Sequence, residues 1–373
     1  MAKVNKSSSG YSCVFLIGLS SLLIVSLGII LSILVAQNGF DDNHIDFHFE
    51  EVPCAEVHHS AKLFKGMVSG AESMAFVGEG KIISGMVDGR VMELDINENT
   101  AKTLFQVKNS RPLGVRIMNE TILGVADAML GFYLYDIKTE KKVFFIKSGD
   151  LVDNSPVVFL DDFAYSSKRN VLYISQASTK YGYHELLPLL MHGGAHGRIL
   201  TYDLNSGKVG ILGPKLAFPN GLELSKDENS LFINELQRFS TLKFDLNSNT
   251  FTTFTTYPGY PDNIKSDGAH GYWVAVNSVN QRQPYYLEKY PFLRALLYFS
   301  LKYQILGPDV IIKSYGSFLH IDQNGKIDRC FCSSDGSTFN QVTEVAERNG
   351  MLFIGSFLDN VDYIAQLKME NLD

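Results

Sequence analysis

The body of this chain repeats itself, and a fixed internal period constrains a fold more tightly than composition or any single motif. One repeated element is an alternating run ending in aspartate: Gly89 to Asp95 (GRVMELD), Gly131 to Asp136 (GFYLYD), Gly197 to Asp203 (GRILTYD), Thr241 to Asp245 (TLKFD) and Ser317 to Asp322 (SFLHID). Turn residues such as Asn97-Glu98-Asn99 and Asn247-Ser248-Asn249 follow, and then a second alternating run, which is the pattern of a two-stranded hairpin. The aspartate at each corner is suited to an Asx-type turn bond. A short β-rich run precedes each hairpin, in six copies from Lys81 to Gly85 (KIISG) through Met351 to Phe357 (MLFIGSF). A third element precedes those, also in six copies: Gly70-Ala71-Glu72-Ser73, Arg111-Pro112-Leu113-Gly114, Leu160-Asp161-Asp162-Phe163, Pro219-Asn220-Gly221-Leu222, Pro261-Asp262-Asn263-Ile264 and Val342-Thr343-Glu344-Val345.

Four strands made six times describe an all-β fold, a six-bladed β-propeller, in which no blade can bury both of its faces unless its neighbours stack on it in a ring. The sixth unit lacks an Asp-ended hairpin; Tyr363 to Leu367 supplies its third strand, and a strand from about Ala55 to Phe64 is expected to close the ring as its fourth. The propeller is therefore expected over residues 55–373, after a linker at 37–54. Two insertions break the period, at about 179–196 and 279–313. The second contains an amphipathic stretch from Leu287 to Tyr303, which suits a packed helix or, through its aromatics with Lys289, Arg294 and Lys302, contact with a membrane surface.

The apolar block from Cys13 to Ala36 holds no charge and no proline. Its length, about 36 Å as a helix, is enough to cross a hydrocarbon core. Lys3 and Lys6 precede it and Asp41 and Asp42 follow it, so the expected topology is a cytosolic tail (1–12), a single transmembrane signal anchor (13–36) and a lumenal or extracellular body: single-pass type II, at the cell surface or in the endoplasmic reticulum. A cleaved signal peptide is the alternative, disfavoured by the length of the block; the body is non-cytosolic either way.

That compartment is oxidising. Cys54, Cys330 and Cys332 follow the membrane block, an odd number. A bridge from Cys54 to one of the other two would tie the ends of the body together, and zinc ligation is the second possibility, without a histidine pair at ligand spacing to support it. Asn119-Glu120-Thr121 makes Asn119 the candidate glycan carrier. A formal net charge of −7 argues against a nucleic-acid partner.

The first element of each blade forms its innermost strand, whose start faces the central channel. The residues there are Glu72, Leu113, Asp161, Asn220, Asp262 with Asn263, and Thr343. Nearly all are oxygen donors. Pro-Asn-Gly and Pro-Asp-Asn are ordinary turn sequences in isolation; their equivalent place in successive blades is what points to a shared cation. Buried carboxylates require pairing or a cation, and an irregular carboxylate and carboxamide set without thiolate or imidazole suits Ca2+ better than the tighter octahedron of magnesium. The expected metal ligands are Glu72, Asp161, Asn220, Asp262, Asn263 and Thr343.

These residues, with the six-blade spacing, the run from Tyr183 to Leu200 and Gly271-Tyr272-Trp273-Val274, resemble the strictosidine synthase-like family over about 70–367, including its animal membrane-anchored branch. Paraoxonases, gluconolactonases and diisopropylfluorophosphatase are the wider relatives. The resemblance implies a channel calcium with Glu72, Asn220 and Asp262 at family ligand positions, and Asn263 at a position that ligates in the paraoxonase pattern. Asp161 stands where the family usually has asparagine. Thr343 stands where strictosidine synthases carry a catalytic glutamate, which speaks against the alkaloid-forming condensation. Leu113 stands where paraoxonases carry a histidine, and no Gly-x-Ser-x-Gly nucleophile motif occurs.

Metal-assisted hydrolysis of small hydrophobic esters or lactones is the chemistry left, with a carboxylate, Asp262, Asp161 or Asp162, as general base. His184, His192 and His196 lie in the first insertion, where solvated loop positions are the plainer reading. The other function class is a non-catalytic propeller, pinned by calcium, that binds a protein or glycan partner.

Overall fold

A computed structural model describes residues 25–30, 32, 33, 35, 37, 39–43, 45, 48–269, 271–307 and 314–372. The expected cytosolic tail and the first half of the expected anchor lie outside the described residues. Residues 25–30 are helical and exposed, and among the described residues no helix is long and apolar enough to cross a membrane.

Six antiparallel sheets form the ring. The first four blades each take four consecutive strands: Met74–Val77 to Thr100–Gln106, Pro112–Ile117 to Lys141–Lys147, Phe159–Ser166 to Val209–Leu216, and Pro219–Leu224 to Thr250–Thr256. The fifth runs from Tyr260–Ser266 to Ile327–Ser333, and the sixth from Val342–Arg348 to Ile364–Lys368. The repeat thus becomes the sheet count. The corner aspartates act as the alternation predicts: Asp95, Asp136, Asp203, Asp245 and Asp322 each accept backbone N–H bonds from the turn that follows, as in Asn247 N–H and Ser248 N–H to Asp245 Oδ1 at 2.9 and 2.8 Å.

Closure differs from the expected single strand across Ala55 to Phe64. That segment is split. Ala55–Glu56 pairs in parallel with Ile327–Ser333 and adds a fifth strand to blade five, while Ala61–Leu63 pairs antiparallel with Ile364–Lys368 and completes blade six. The N-terminal end therefore clasps two blades. The Cys54–Cys330 disulfide, 276 residues apart in sequence, fixes the first of these contacts. It removes the zinc alternative for this pair. Cys332 is free and buried; its thiol donates to Glu56 Oε2 at 3.3 Å.

The core lies between blades. Trp273, Phe318 and Phe331 of blade five pack on Val345, Leu352 and Ile354 of blade six, and Phe132 of blade two meets Phe163 of blade three edge-on at 4.9 Å. Each large side chain buried there contributes roughly 1.5–3 kcal/mol, and truncating one loosens two blades at once.

The insertions form a cap. Between the second and third strands of blade three lies a short helix, α1 (Leu186–His192). Between the same strands of blade five lie α2 (Arg282–Lys289) and α3 (Pro291–Lys302). The continuous amphipathic stretch expected from Leu287 to Tyr303 is broken at Tyr290, which is extended (φ −122°, ψ 100°) because the following Pro291 disfavours helical geometry there and itself starts α3. Asn119 sits exposed in a turn of blade two, its side chain accepting the Thr121 and Ile122 N–H groups.

Cys54→Ser should lower the unfolding free energy by about 2–5 kcal/mol. Denaturant unfolding of the variant and of the oxidised wild-type chain checks this.

Candidate functional site

The inner strands do more than start near the axis. Five of the six carry a register irregularity at the residues singled out by the repeat: between Pro112 and Gly114, Leu160 and Phe163, Pro219 and Leu222, Pro261 and Ile264, and Val342 and Glu344. A bulge re-aims side chains that a regular pleat would alternate. Glycine lets the bulged strands approach: a Cβ on Gly221 would meet the Asn263 Cα at 2.5 Å, and one on Gly114 the Asp162 Cα at 2.8 Å. The ligand-type residues of neighbouring blades are thereby drawn together.

Two polar layers result. In the upper layer Glu72, Asp161, Asn220 and Asp262 are buried and line the floor of a cavity of about 420 Å³. Glu72 Oε2 and the Oδ1 atoms of Asp161, Asn220 and Asp262 are buried with no hydrogen-bond donor among the described residues. Asn263 Oδ1 is likewise buried without a donor, although Asn263 does not line the cavity. Thr343 lines the floor, but its hydroxyl donates to the Glu72 carbonyl at 2.9 Å and so ties blade six to blade one. Leu113 contributes apolar wall.

The lower layer is charge-compensated. Arg116 bridges Asp162 and Glu223, each at 2.9 Å, and Lys265 pairs with Glu344 at 3.0 Å. Asp162 also accepts the Leu222 N–H at 3.0 Å, and Glu344 the Met74 N–H at 2.7 Å. These bonds cross between blades, so the belt is a girdle for the ring. Asp162 does not line the cavity and is tied to Arg116, which suits a positioning carboxylate and not the general base that the sequence allowed.

Asp162 and the upper-layer carboxyls titrate in opposite directions, while burial raises Glu344 against the pull of Lys265. Burial lifts the Asp162 carboxyl, but Arg116 and Lys265 more than reverse this and hold it below its ordinary range. Burial pushes Glu72 up to about 8 against the pull of Arg111, helped by Asp162 and Glu344. Burial, then repulsion from Glu72, drives Asp161 and Asp262 well above the carboxylate range. The upper layer is short of positive charge. Arg111 is near but commits its guanidinium to the Gly70 and Phe357 carbonyls, at 3.0 and 3.3 Å, and to the Tyr183 hydroxyl.

Among the described residues no group of three or more His, Cys, Asp or Glu side chains is arranged to hold a metal ion. Donorless oxygens on Glu72, Asp161, Asn220, Asp262 and Asn263 nevertheless fit a hard cation, one that would need the two carboxamides as well as the carboxylates.

The cavity walls are apolar: the cap supplies Leu186, Leu190 and Leu287, and the blades supply Phe159, Phe218 and Leu236. No histidine is among the described residues that line it. His192 bonds the Tyr181 hydroxyl and packs edge-on against Phe40 and at a tilt against Tyr298, His196 faces Asp41 at 3.6 Å, and His184 is exposed. Asn277, at the wall with a buried donorless Oδ1, is a site residue the sequence reading missed. So are the supports Ser84, Ser175 and Asn234: Ser84 donates to the Ser73 carbonyl at 2.7 Å, Ser175 to that of Asp162 at 3.1 Å, and Asn234 to that of Asp262 at 2.6 Å. Their signal was a polar residue recurring near the end of an otherwise apolar second run.

Known proteins resemble this chain in sequence and in fold. The sequence model described as Strictosidine synthase matches residues 161–247. The chain is 27% identical over 327 residues to the adipocyte plasma membrane-associated protein of Salmo salar, covering 82% of this chain and 77% of that protein. A gluconolactonase from Xanthomonas campestris superposes with a TM-score of 0.56 at 11% identity, covering 82% of this chain and 88% of that one. A calcium-binding regucalcin from Agrobacterium tumefaciens does so at 0.56 and 13%, covering 85% and 95%. At these identities the solved structures establish the propeller fold. Through the matched segment at 161–247 and a relative alike along most of both lengths, the chain is similar to strictosidine synthase-like proteins.

Proposed function

We propose that the chain is a calcium-dependent hydrolase of the arylesterase or lactonase kind, acting on small hydrophobic esters at the upper layer of the channel. The observation that carries this reading is the set of buried, donorless oxygens at the floor of an apolar cavity. An apolar cleft with a few convergent polar groups is the form of a small-molecule site. The fold accommodates such chemistry, since propellers described as a gluconolactonase and as a calcium-binding protein share it.

Glu72, Asp161, Asn220, Asp262 and Asn263 would hold the ion. A bound calcium supplies a Lewis acid that polarises an ester carbonyl and favours the oxyanion. The chain's own residues do the rest. Leu113, Phe159, Leu190 and Phe218 would take the apolar part of the substrate and exclude water from it. Asp161 or Asp262 would accept a proton from the attacking water as its oxygen bonds to the carbonyl carbon. That proton would then pass to the leaving oxygen as the old C–O bond breaks. Thr343 in place of a glutamate leaves strictosidine-type condensation without its base.

The assay uses phenyl acetate and a small lactone panel, with calcium and then with excess chelator. Turnover should require calcium, and Asn220→Ala should abolish it. Asp262→Asn and Asp161→Asn should differ, the one that is the base losing about 10²–10⁴-fold. No turnover for any substrate, with calcium still raising the melting temperature, would turn the reading to the non-catalytic propeller with a protein or glycan partner.

A linked prediction concerns pH. Glu72, Asp161 and Asp262 have folded-state values above their unfolded ones, so the folded chain binds more protons and stability falls as pH rises. Glu72, at about 8, places the readable part of that loss between neutral pH and pH 8. In chelator the melting temperature should fall from pH 6.5 to 8, and calcium should restore it most at the upper end. A melting temperature indifferent to calcium at pH 8 would contradict the site.

A further inference from the structure

The stretch that follows the N-terminal apolar block does not hang free. Ala36 ends the block, and only a few residues later the chain is fixed to the cap over the cavity. Phe40 is buried against His192 and Tyr298, with ring centroids 4.7 and 5.8 Å away. The Asp41 N–H donates to the His192 carbonyl at 2.7 Å, and Arg294 donates to the Asp41 carbonyl. Asn43 is fully buried: its amide donates to Glu288, its Oδ1 accepts the Gly194 N–H at 2.6 Å, and its carbonyl accepts from Arg238 at 3.1 Å. Four residues from Ala36 to Phe40 reach at most about 14 Å. Wherever the block lies, the cap lies beside it.

The outward face of the cap is apolar. Tyr286, Tyr290, Phe292, Leu296, Tyr303 and Ile305 are exposed at 43, 39, 46, 53, 68 and 74%. Along α3, Phe292, Leu296, Phe299 and Tyr303 recur at helical spacing, while Arg294, Ala295 and Leu297 are buried on the inner side. A surface helix of a water-soluble body carries charge on its outer face; α3 has two charged residues, of which Arg294 is buried and Lys302 alone is exposed. The Lys302 and Lys289 ammoniums lie over the Tyr298 and Tyr285 rings, at 5.7 and 5.1 Å. Aromatics with lysines among them are the side chains of a headgroup layer. The same cap supplies cavity wall through Leu187, Pro284, Leu287 and Leu301, and Leu187 is itself 36% exposed, so apolar surface runs from the outer face to the interior.

We infer that the outer face of α2 and α3 docks on the headgroup layer of the bilayer that holds the N-terminal block, so that the cavity opens toward lipid. Its substrate is then a bilayer-resident hydrophobic ester or lactone, a step that rests on the hydrolase reading; the docking does not. The two insertions, which begin 100 residues apart in sequence, and the first residues after the block form one membrane-facing unit around the mouth.

The test uses the full-length chain in phosphatidylcholine nanodiscs containing a phosphatidylcholine with a diazirine on its acyl chain. After irradiation, label should appear in peptides covering 282–306 as well as in the N-terminal block. Phe292→Glu with Leu296→Glu, both exposed and outside the cavity, should cut labelling of 282–306 by about fivefold while the block is labelled as before. Label confined to the block in the wild-type chain would overturn the docking, whatever else covers the face. Labelling needs no turnover, so loss of the hydrolase reading leaves this result intact. If hydrolysis is found, the same double variant should raise KM for a long-chain ester dissolved in the disc and leave that for phenyl acetate unchanged; equal effects on both would overturn the lipid route of entry.

Discussion

Six inner strands meeting at one axis bring whatever charge they carry into a confined, poorly hydrated space, where each carboxylate must find a positive partner or take up a proton. The rest of the site follows from how the two layers meet this demand. In the lower layer Arg116 and Lys265 sit among Asp162, Glu223 and Glu344, and the resulting ion pairs cross from blade to blade. In the upper layer Glu72, Asp161 and Asp262 have no ion-pair partner among the described residues, and burial drives all three toward the protonated form. One layer is built to hold the ring together; the other is built with its charge incomplete. Removing a partner from the lower layer leaves an uncompensated buried charge, which is costly, whereas the upper layer keeps buried oxygens without a donor among the described residues.

Much of this was legible in the chain. The period and its Asp-ended hairpins set six blades, and the corner aspartates make the turn bonds their spacing implies. The upper layer was legible because equivalent positions in successive units carry oxygen. The lower layer was not, because it departs from strict equivalence. Arg116, Glu223 and Lys265 lie three residues after their upper-layer counterparts, whereas Asp162 and Glu344 lie one residue after theirs. The bulges of blades three, four and five begin at equivalent points; Asp162 reaches the belt from within its bulge and Glu223 and Lys265 from beyond theirs, and a repeat aligned by residue number does not reveal it. The split closure at 55–64 was hidden for a related reason. Two very short strands pair with two different blades, and a two- or three-residue strand carries too little alternation to be read.

The insertions show a different limit. Their sequence said amphipathic helix, which leaves open what each face meets. The structure settles the inner face: Arg294 is wholly buried and donates to the carbonyls of Met191, Leu287, Glu288 and Asp41, locking both insertions and the N-terminal segment into one cap. That arrangement adds Leu186, Leu190 and Leu287 to the apolar wall that the blades supply, and it ties access to the site to whatever covers the outer face.

The central claim is that the upper layer is a cation site completed by carboxamides as well as carboxylates. Calorimetric titration of calcium into the chelator-stripped, full-length chain in detergent tests it most directly. The account predicts one ion per chain, with protons released on binding near pH 7, and loss of that binding in Asn220→Ala but not in Asp322→Ala, a turn aspartate at the far end of a blade strand. Absence of a saturable binding event in a folded wild-type chain, or binding untouched by Asn220→Ala, would contradict it.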